Sequence, residues 1–96
     1  MLKSSEILNI NTIDGEKMKI YDFNGSKNIC GKRVKEARKN LGLSQENLAA
    51  RLQVEGINIE RDSVSRIEIG TRFVADYELA ALCKVLGVTP EYLLGI

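Results

Sequence analysis

The 96-residue sequence contains no histidine, and its two cysteines, Cys30 and Cys83, stand far apart with no CxxC pair. Without histidine the chain lacks the side chain that most often serves as a general base or as the partner of a nucleophile. It also lacks a Cys/His set that could hold zinc. We therefore expect no enzyme activity, no metal site and no cofactor, and we interpret both cysteines as free buried thiols.

Long apolar runs are also absent. No stretch approaches the roughly 18 apolar residues of a membrane span, and the first residues lack the charged-then-apolar order of a secretory signal. A hydrophobic content of 44% is nevertheless enough for one domain to bury a core without metal or cross-links. We expect a cytoplasmic protein with no membrane partner.

A large excess of one sign of charge is also absent, because 14 lysines and arginines stand against 13 aspartates and glutamates and the formal net charge is only +1. Nucleic-acid binders usually carry a basic face, so the distribution of charge matters more here than its sum. Five cations and one anion fall between positions 32 and 39, and arginines follow at 61, 66 and 72. The five cations are Lys32, Arg33, Lys35, Arg38 and Lys39. Taken alone, such a run is more often a solvated helix face than a binding site.

Residues 1–27 differ in composition from the rest and form an N-terminal extension. Two β-leaning runs, residues 7–13 and 16–23, flank Asp14-Gly15, which favours a hairpin turn. Two strands alone are marginally stable, so a hairpin would have to pack on the rest of the chain or on another copy. Disorder is the alternative. Residues 24–28 look like a flexible connection, so we place the domain boundary between residues 27 and 28.

From residue 28 to 96 the apolar spacing is helical, and caps and breakers separate five segments. The first runs from about Ile29 to Leu41 and is ended by Gly42. Ser44 is a good N-cap for the second, because its hydroxyl can accept from a free amide of the first turn. The third covers about residues 61–69 and ends at Gly70.

The last two segments have equally clear ends. Asp76 is a candidate N-cap for the fourth helix, which Gly87 ends, and Thr89-Pro90 opens a short fifth helix with proline at its first position. The residues expected to face inward along the five helices are Cys30, Val34, Ala37, Leu41, Leu48, Ala49, Leu52, Val64, Ile67, Leu79, Leu82, Cys83, Leu86, Leu93 and Leu94.

Four sequence blocks follow one another through this region. They are GKRVKEAR at 31–38, LGLSQENLA at 41–49, VSRIEIG at 64–70 and LGVTPEYLL at 86–94. In this order the blocks resemble the helix-turn-helix domain of phage repressors and Cro proteins, the XRE-like regulators. The resemblance implies an all-α, five-helix, lambda-repressor-like fold, in which the third helix can enter a DNA major groove.

The resemblance also assigns roles to individual residues. Those expected to read bases are Arg61, Asp62, Ser65 and Arg66. Those expected to contact phosphate are Ser44, Gln45, Thr71 and Arg72. Those expected to form a partly buried structural ion pair are Arg38 and Glu68.

Each role has a chemical basis and an alternative. An arginine can donate two hydrogen bonds to guanine, and an aspartate can accept from the cytosine amino group. Arg61 and Arg66 could instead be solubilising surface. Asp62 could serve the helix N-terminus, where negative charge is favourable, and Gln45 could support the preceding cap.

Three departures from the family pattern stand out. Residues 53–59 lengthen the connection between the second and third helices, so that the second helix runs on or the turn bulges. Glu60 occupies a position where a small capping residue is usual, and Ile69 replaces an asparagine. Together with the low net charge, these departures predict modest non-specific DNA affinity.

The sequence therefore indicates a sequence-specific DNA-binding transcription regulator, a repressor that acts as a homodimer on an inverted-repeat operator. The alternative is an antitoxin-like or anti-repressor module whose main partner is another protein, captured through residues 1–27.

Overall fold

The computed structural model describes residues 22–96, and this part of the chain is all-helical. The helices are α1 (Gly31–Asn40), α2 (Gln45–Val54), α3 (Arg61–Ile69), α4 (Asp76–Leu86) and α5 (Pro90–Leu94). The predicted five-helix fold is confirmed. The hairpin expected over residues 7–23 lies outside the described residues, apart from its last two positions.

Local capping explains where three of these helices begin. The Ser44 hydroxyl accepts from the amide of Asn47 at 2.9 Å at the start of α2, and the Thr89 hydroxyl accepts from the amide of Tyr92 at 3.0 Å at the start of α5. The prediction of Asp76 as an N-cap is wrong by one residue. Ala75 holds that position, and because alanine has no acceptor, the Glu78 carboxylate instead accepts from the Ala75 amide at 3.0 Å.

The core lies where α3 meets α1 and α2, with α4 and α5 closing its other side. Nearly all residues expected to face inward are buried or half-buried. Leu41 is the exception, with 49% of its surface exposed. The reason is that α1 ends at Asn40 and Gly42 turns the chain at a φ of +72°, so helical spacing no longer holds at Leu41.

Both thiols are free, as expected, although only Cys30 is fully buried while Cys83 is half-buried. Burial raises the pKa of each thiol and so keeps it in the protonated, weakly reactive form. The longest helix among residues 22–96 has eleven residues, which is too short to cross a membrane. Within the same residues no group of potential metal ligands lies close enough together to hold an ion.

The lengthened connection between α2 and α3 is anchored in the core. The α2 helix runs on only to Val54, and Gly56 then turns the chain at a φ of +88°. Ile59 returns to the core with 2% of its surface exposed, and its carbonyl accepts from the Gln53 side chain at 2.7 Å. The insertion is therefore a fixed loop that sets the start of α3.

Residues 22–29 form a strap that crosses the C-terminal end of α3. Phe23 and Ser26 pair with each other through two backbone hydrogen bonds across an Asn24-Gly25 turn. The Lys27 amide then donates to the carbonyl of Gly70 at 2.7 Å. The expectation of a flexible connection here is wrong, because these residues are hydrogen-bonded to the end of α3.

Candidate nucleic-acid interface

The outward face of α3 carries the four residues that sequence reasoning assigned to base reading. At 3.6 residues per turn, positions 61, 62, 65 and 66 fall within an arc of about 140°. Arg61, Asp62 and Arg66 are exposed and Ser65 is half-buried. Arg61 and Asp62 pair with each other at 2.9 Å, so the two side chains form one polar unit at the first turn of the helix.

The inward face of α3 is held to α1 by the Arg38–Glu68 ion pair. The guanidinium Nε lies 2.6 Å from Oε2 and Nη2 lies 3.0 Å from Oε1, while Nη1 donates to the carbonyl of Leu43 at 2.8 Å. The two side chains are 9% and 1% exposed. The hydrogen bond to Glu68 is the main cause that raises the pKa of Arg38. A bidentate pair of this kind fixes orientation as well as distance.

The start of α2 meets the same pair. Gln45 is half-buried and donates from Nε2 to Oε1 of Glu68 at 3.0 Å. Ser44 is exposed, and its hydroxyl oxygen accepts the capping hydrogen bond, which leaves the O–H as a free donor. The Gln45 side chain is therefore engaged with Glu68, whereas the Ser44 side chain lies at the surface.

The loop after α3 presents its two predicted phosphate contacts differently. Thr71 is exposed, with its amide donating to the carbonyl of Arg66 at 2.9 Å. Arg72 instead donates to both carboxylate oxygens of Glu78, at 2.9 Å and 3.2 Å. Burial alone would raise the pKa of Glu78, but the hydrogen bonds from Arg72 and from the Ala75 amide outweigh burial and lower it.

Sequence comparison assigns the chain that carries this surface to a known family. A family model described as a helix-turn-helix domain matches residues 30–93, which include all five helices except the last residue of α5. The chain belongs to the helix-turn-helix domain family. It is a DNA-binding transcription regulator of the XRE type, and this family consists of transcription factors rather than enzymes.

One solved structure shows the likeness in three dimensions. The restriction-modification controller protein C.AhdI from Aeromonas hydrophila is 33% identical, and the match covers 66% of this chain and 88% of that chain with a TM-score of 0.58. No curated protein matches the sequence significantly.

Several cations of this regulator have internal partners. Arg38 is in the buried ion pair, Arg72 binds Glu78, and Arg33 donates to the carbonyl of Tyr92 at 2.7 Å and lies 5.4 Å from the centre of its ring. The cations that stay exposed on α1 are Lys32, Lys35 and Lys39. The charge available to DNA is therefore smaller than the basic run in the sequence suggests.

Sequence reasoning missed the residues that fix the C-terminal end of α3. The Asn28 side chain accepts from the amides of Cys30 and Gly31, at 3.0 Å and 2.8 Å, and so satisfies free donors at the start of α1. Its Nδ2 donates to the carbonyls of Ile67 and Arg72, at 3.1 Å and 2.8 Å. Asparagine just before a helix is a known capping signal, which could have pointed to the first role but not to the second.

Gly31 is the second missed position. A β-carbon at this residue would overlap the carbonyl oxygen of Ile67 and lie 2.9 Å from that of Glu68. The first turn of α1 therefore packs backbone against backbone on the last turn of α3. Glycine at a helix start gives no sign of which distant segment approaches it.

Proposed function

We propose that this regulator is a repressor that binds an inverted-repeat operator as a homodimer in the cytoplasm. The observation that carries the proposal is the two-sided character of α3. Its outward face offers charged and hydroxyl side chains, while its inward face is fixed by the Arg38–Glu68 pair. A rigidly held helix with free polar groups is what major-groove reading needs.

In this proposal the four outward residues of α3 read base edges. Arg66 is exposed and has no ion-pair partner among residues 22–96, so its guanidinium is free to donate two hydrogen bonds to a guanine. Arg61 and Asp62 enter as a pair, in which Asp62 holds the guanidinium or accepts from a cytosine. Ser65, which lies between Arg61 and Asp62 around the helix axis, can hydrogen-bond to either kind of base edge.

Phosphate contacts in the proposal come from both sides of α3. Ser44 offers its free hydroxyl donor at the start of α2, where free amides and the helix dipole favour an anion, and Gln45 supports that end through Glu68. Thr71 is exposed after α3, and its hydroxyl, which donates to the carbonyl of Arg66 at 3.4 Å, would have to turn to reach a phosphate. Arg72 would contact phosphate only by sharing or leaving its bond to Glu78.

A homodimer follows from the size of the reading surface. One nine-residue helix reads few base pairs, and a two-fold dimer doubles that number on half-sites about 10–10.5 base pairs apart. The likeness to a restriction-modification controller protein favours restriction-modification genes as the targets.

Selection of binding sites from random duplex DNA tests the proposal. We expect the intact chain to enrich a two-fold symmetric motif, and the complex on that motif to contain two chains when its mass is measured by light scattering. Enrichment of an asymmetric motif, or a complex with one chain, would contradict the homodimer, and no enrichment at all would contradict sequence-specific regulation.

A second candidate is a protein-binding module of the antitoxin or anti-repressor kind. It is favoured by an open cleft of about 420 Å³ between the strap and the end of α3, whose lining includes Phe23, Ile29 and Ile69, exposed by 61%, 53% and 68%. Exposed apolar groups that lie together often mark partner surfaces. Replacing Phe23 and Ile29 of the cleft by serine should leave DNA selection intact under the repressor proposal. Failure of the intact chain to select DNA, together with tight binding of a regulatory protein that these replacements abolish, would favour this second candidate.

A further inference from the structure

We propose that Lys27, on the strap, is a phosphate-binding residue of the DNA interface and supplies the contact that the family pattern assigns to Arg72. The inference rests on the proposed DNA-binding function and adds a residue from outside the helix-turn-helix motif to its surface.

Arg72 is already bound to another side chain of the domain, that of Glu78. Both of its terminal nitrogens bond to the Glu78 carboxylate, and Nη1 also donates to the carbonyl of Phe73 at 3.0 Å. Glu78 is itself buried, with 12% of its side chain exposed. Turning Arg72 towards a phosphate would leave the buried Glu78 carboxylate without its cationic partner and with only the hydrogen bond from the Ala75 amide, which is unfavourable.

Lys27 has a fixed position on the strap. Its amide donates to the carbonyl of Gly70 at 2.7 Å, which holds the residue directly beside the loop that begins at Thr71. Ser26 reinforces this position, because its hydroxyl lies 2.7 Å from the carbonyl of Asn28 and 3.3 Å from that of Gly70. The backbone of Lys27 is therefore fixed to the end of α3.

The Lys27 side chain is free to act. It is exposed, and its ammonium has no hydrogen bond or ion pair with any of residues 22–96. An ammonium on a flexible four-carbon stem, carried by an ordered backbone, is well suited to a backbone phosphate and carries no base preference. Lys27 thus adds affinity at the C-terminal end of α3 without adding sequence specificity.

Salt dependence of binding tests the inference. Each phosphate contact contributes about 0.9 to the slope of log affinity against log salt, and a homodimer carries two copies of Lys27, so Lys27→Ala should reduce that slope by about two. At 0.15 M salt this is a loss of about thirty-fold relative to 1 M, equal for the selected duplex and for random duplex of the same length. The matched control is Lys84→Ala, which removes one exposed lysine from α4, where it pairs with Glu55 at 2.9 Å. The control should leave the slope unchanged.

Single neutral phosphates locate the contact. Phosphates of the selected duplex are replaced one at a time with methylphosphonate. We expect one replacement per half-site to lower the DNA affinity of the intact chain and to leave the affinity of Lys27→Ala unchanged. The same replacement should again lower the affinity of Lys27→Arg. An unchanged slope in Lys27→Ala, with circular dichroism showing a folded variant, would overturn the role of Lys27 while leaving DNA binding intact. Absence of DNA binding by the intact chain would overturn both proposals.

Discussion

The guanidinium of Arg38 and the carboxylate of Glu68 face each other in two parallel hydrogen bonds, 2.6 Å and 3.0 Å long, inside the junction of α1 and α3. The same carboxylate accepts from Gln45, so one buried anion joins three helices. Since α3 carries the proposed base-reading face, this pair sets the position of that face relative to the rest of the domain.

Removing one partner of this pair should strongly destabilise the fold. We expect Arg38→Ala or Glu68→Ala to lower the free energy of unfolding by about 3–5 kcal/mol, because each leaves an uncompensated buried charge. Urea unfolding followed by circular dichroism measures the change. Arg61→Ala breaks the exposed pair with Asp62 and should change stability by less than about 1 kcal/mol, so an equal loss in both variants would contradict the account.

Asn28 should matter for stability although it lies outside the helix-turn-helix motif. Asn28→Ala removes the acceptor of two amides at the start of α1 and one donor to each of two carbonyls near the end of α3, and we expect a loss of about 1–3 kcal/mol. Thermal and urea unfolding report it. Asn58→Ala is the matched control, because Asn58 is exposed and its side chain has no hydrogen bond among residues 22–96. Equal stability of the two variants would contradict the proposed role of the strap.

Gly31→Ala should affect DNA binding as well as stability. The added methyl group would press against the carbonyls of Ile67 and Glu68, so α3 must move, at a cost of about 1–3 kcal/mol or more. Gly87→Ala is the comparison, since its β-carbon would meet open space and only its φ of +69° makes alanine unfavourable. We expect Gly87→Ala to lose stability while retaining the ratio of specific to random DNA affinity. Gly31→Ala should lower both the stability and the ratio of specific to random DNA affinity.

Acid should weaken the Arg72–Glu78 contact. The pKa of Glu78 is lowered in the folded chain, so its stabilising contribution is complete above the ordinary glutamate range and is lost as pH falls through the lowered value. We expect the free energy of unfolding to decline less on acidification in Glu78→Gln than in the intact chain. Urea titrations at a series of pH values from neutral to acid measure the difference, and superimposable pH profiles would contradict it.

Local sequence signals predicted the helices of this domain well. The bounds of α3 and the start of α5 at Pro90 follow from caps, breakers and apolar spacing, which act over a few residues. The two wrong predictions, a buried Leu41 and an N-cap at Asp76, also concern local features. One depends on the residue at which α1 ends, and the other on which of two adjacent residues caps α4.

The strap could not be predicted in the same way. Asn28 bonds to carbonyls 39 and 44 residues further along the chain, and no periodicity carries that information. The same holds for Ile59, which is buried from within an inserted loop, and for Arg72, whose engagement depends on Glu78 being turned towards it. In the proposed interface, local pattern therefore identified the outward face of α3, whereas tertiary contacts decided which cations remain free.

The central claim is that the outward face of α3 reads DNA sequence, and the ratio of affinities for the selected duplex and for random duplex tests it most directly. For Arg66→Ala we expect that ratio to fall by about five-fold to 150-fold per half-site, as loss of one bidentate base contact of about 1–3 kcal/mol implies, and by the square of that factor in a homodimer. Lys35→Ala, which removes an exposed charge from α1, should weaken both affinities alike and keep the ratio. A ratio that Arg66→Ala leaves unchanged in a folded protein would contradict the account.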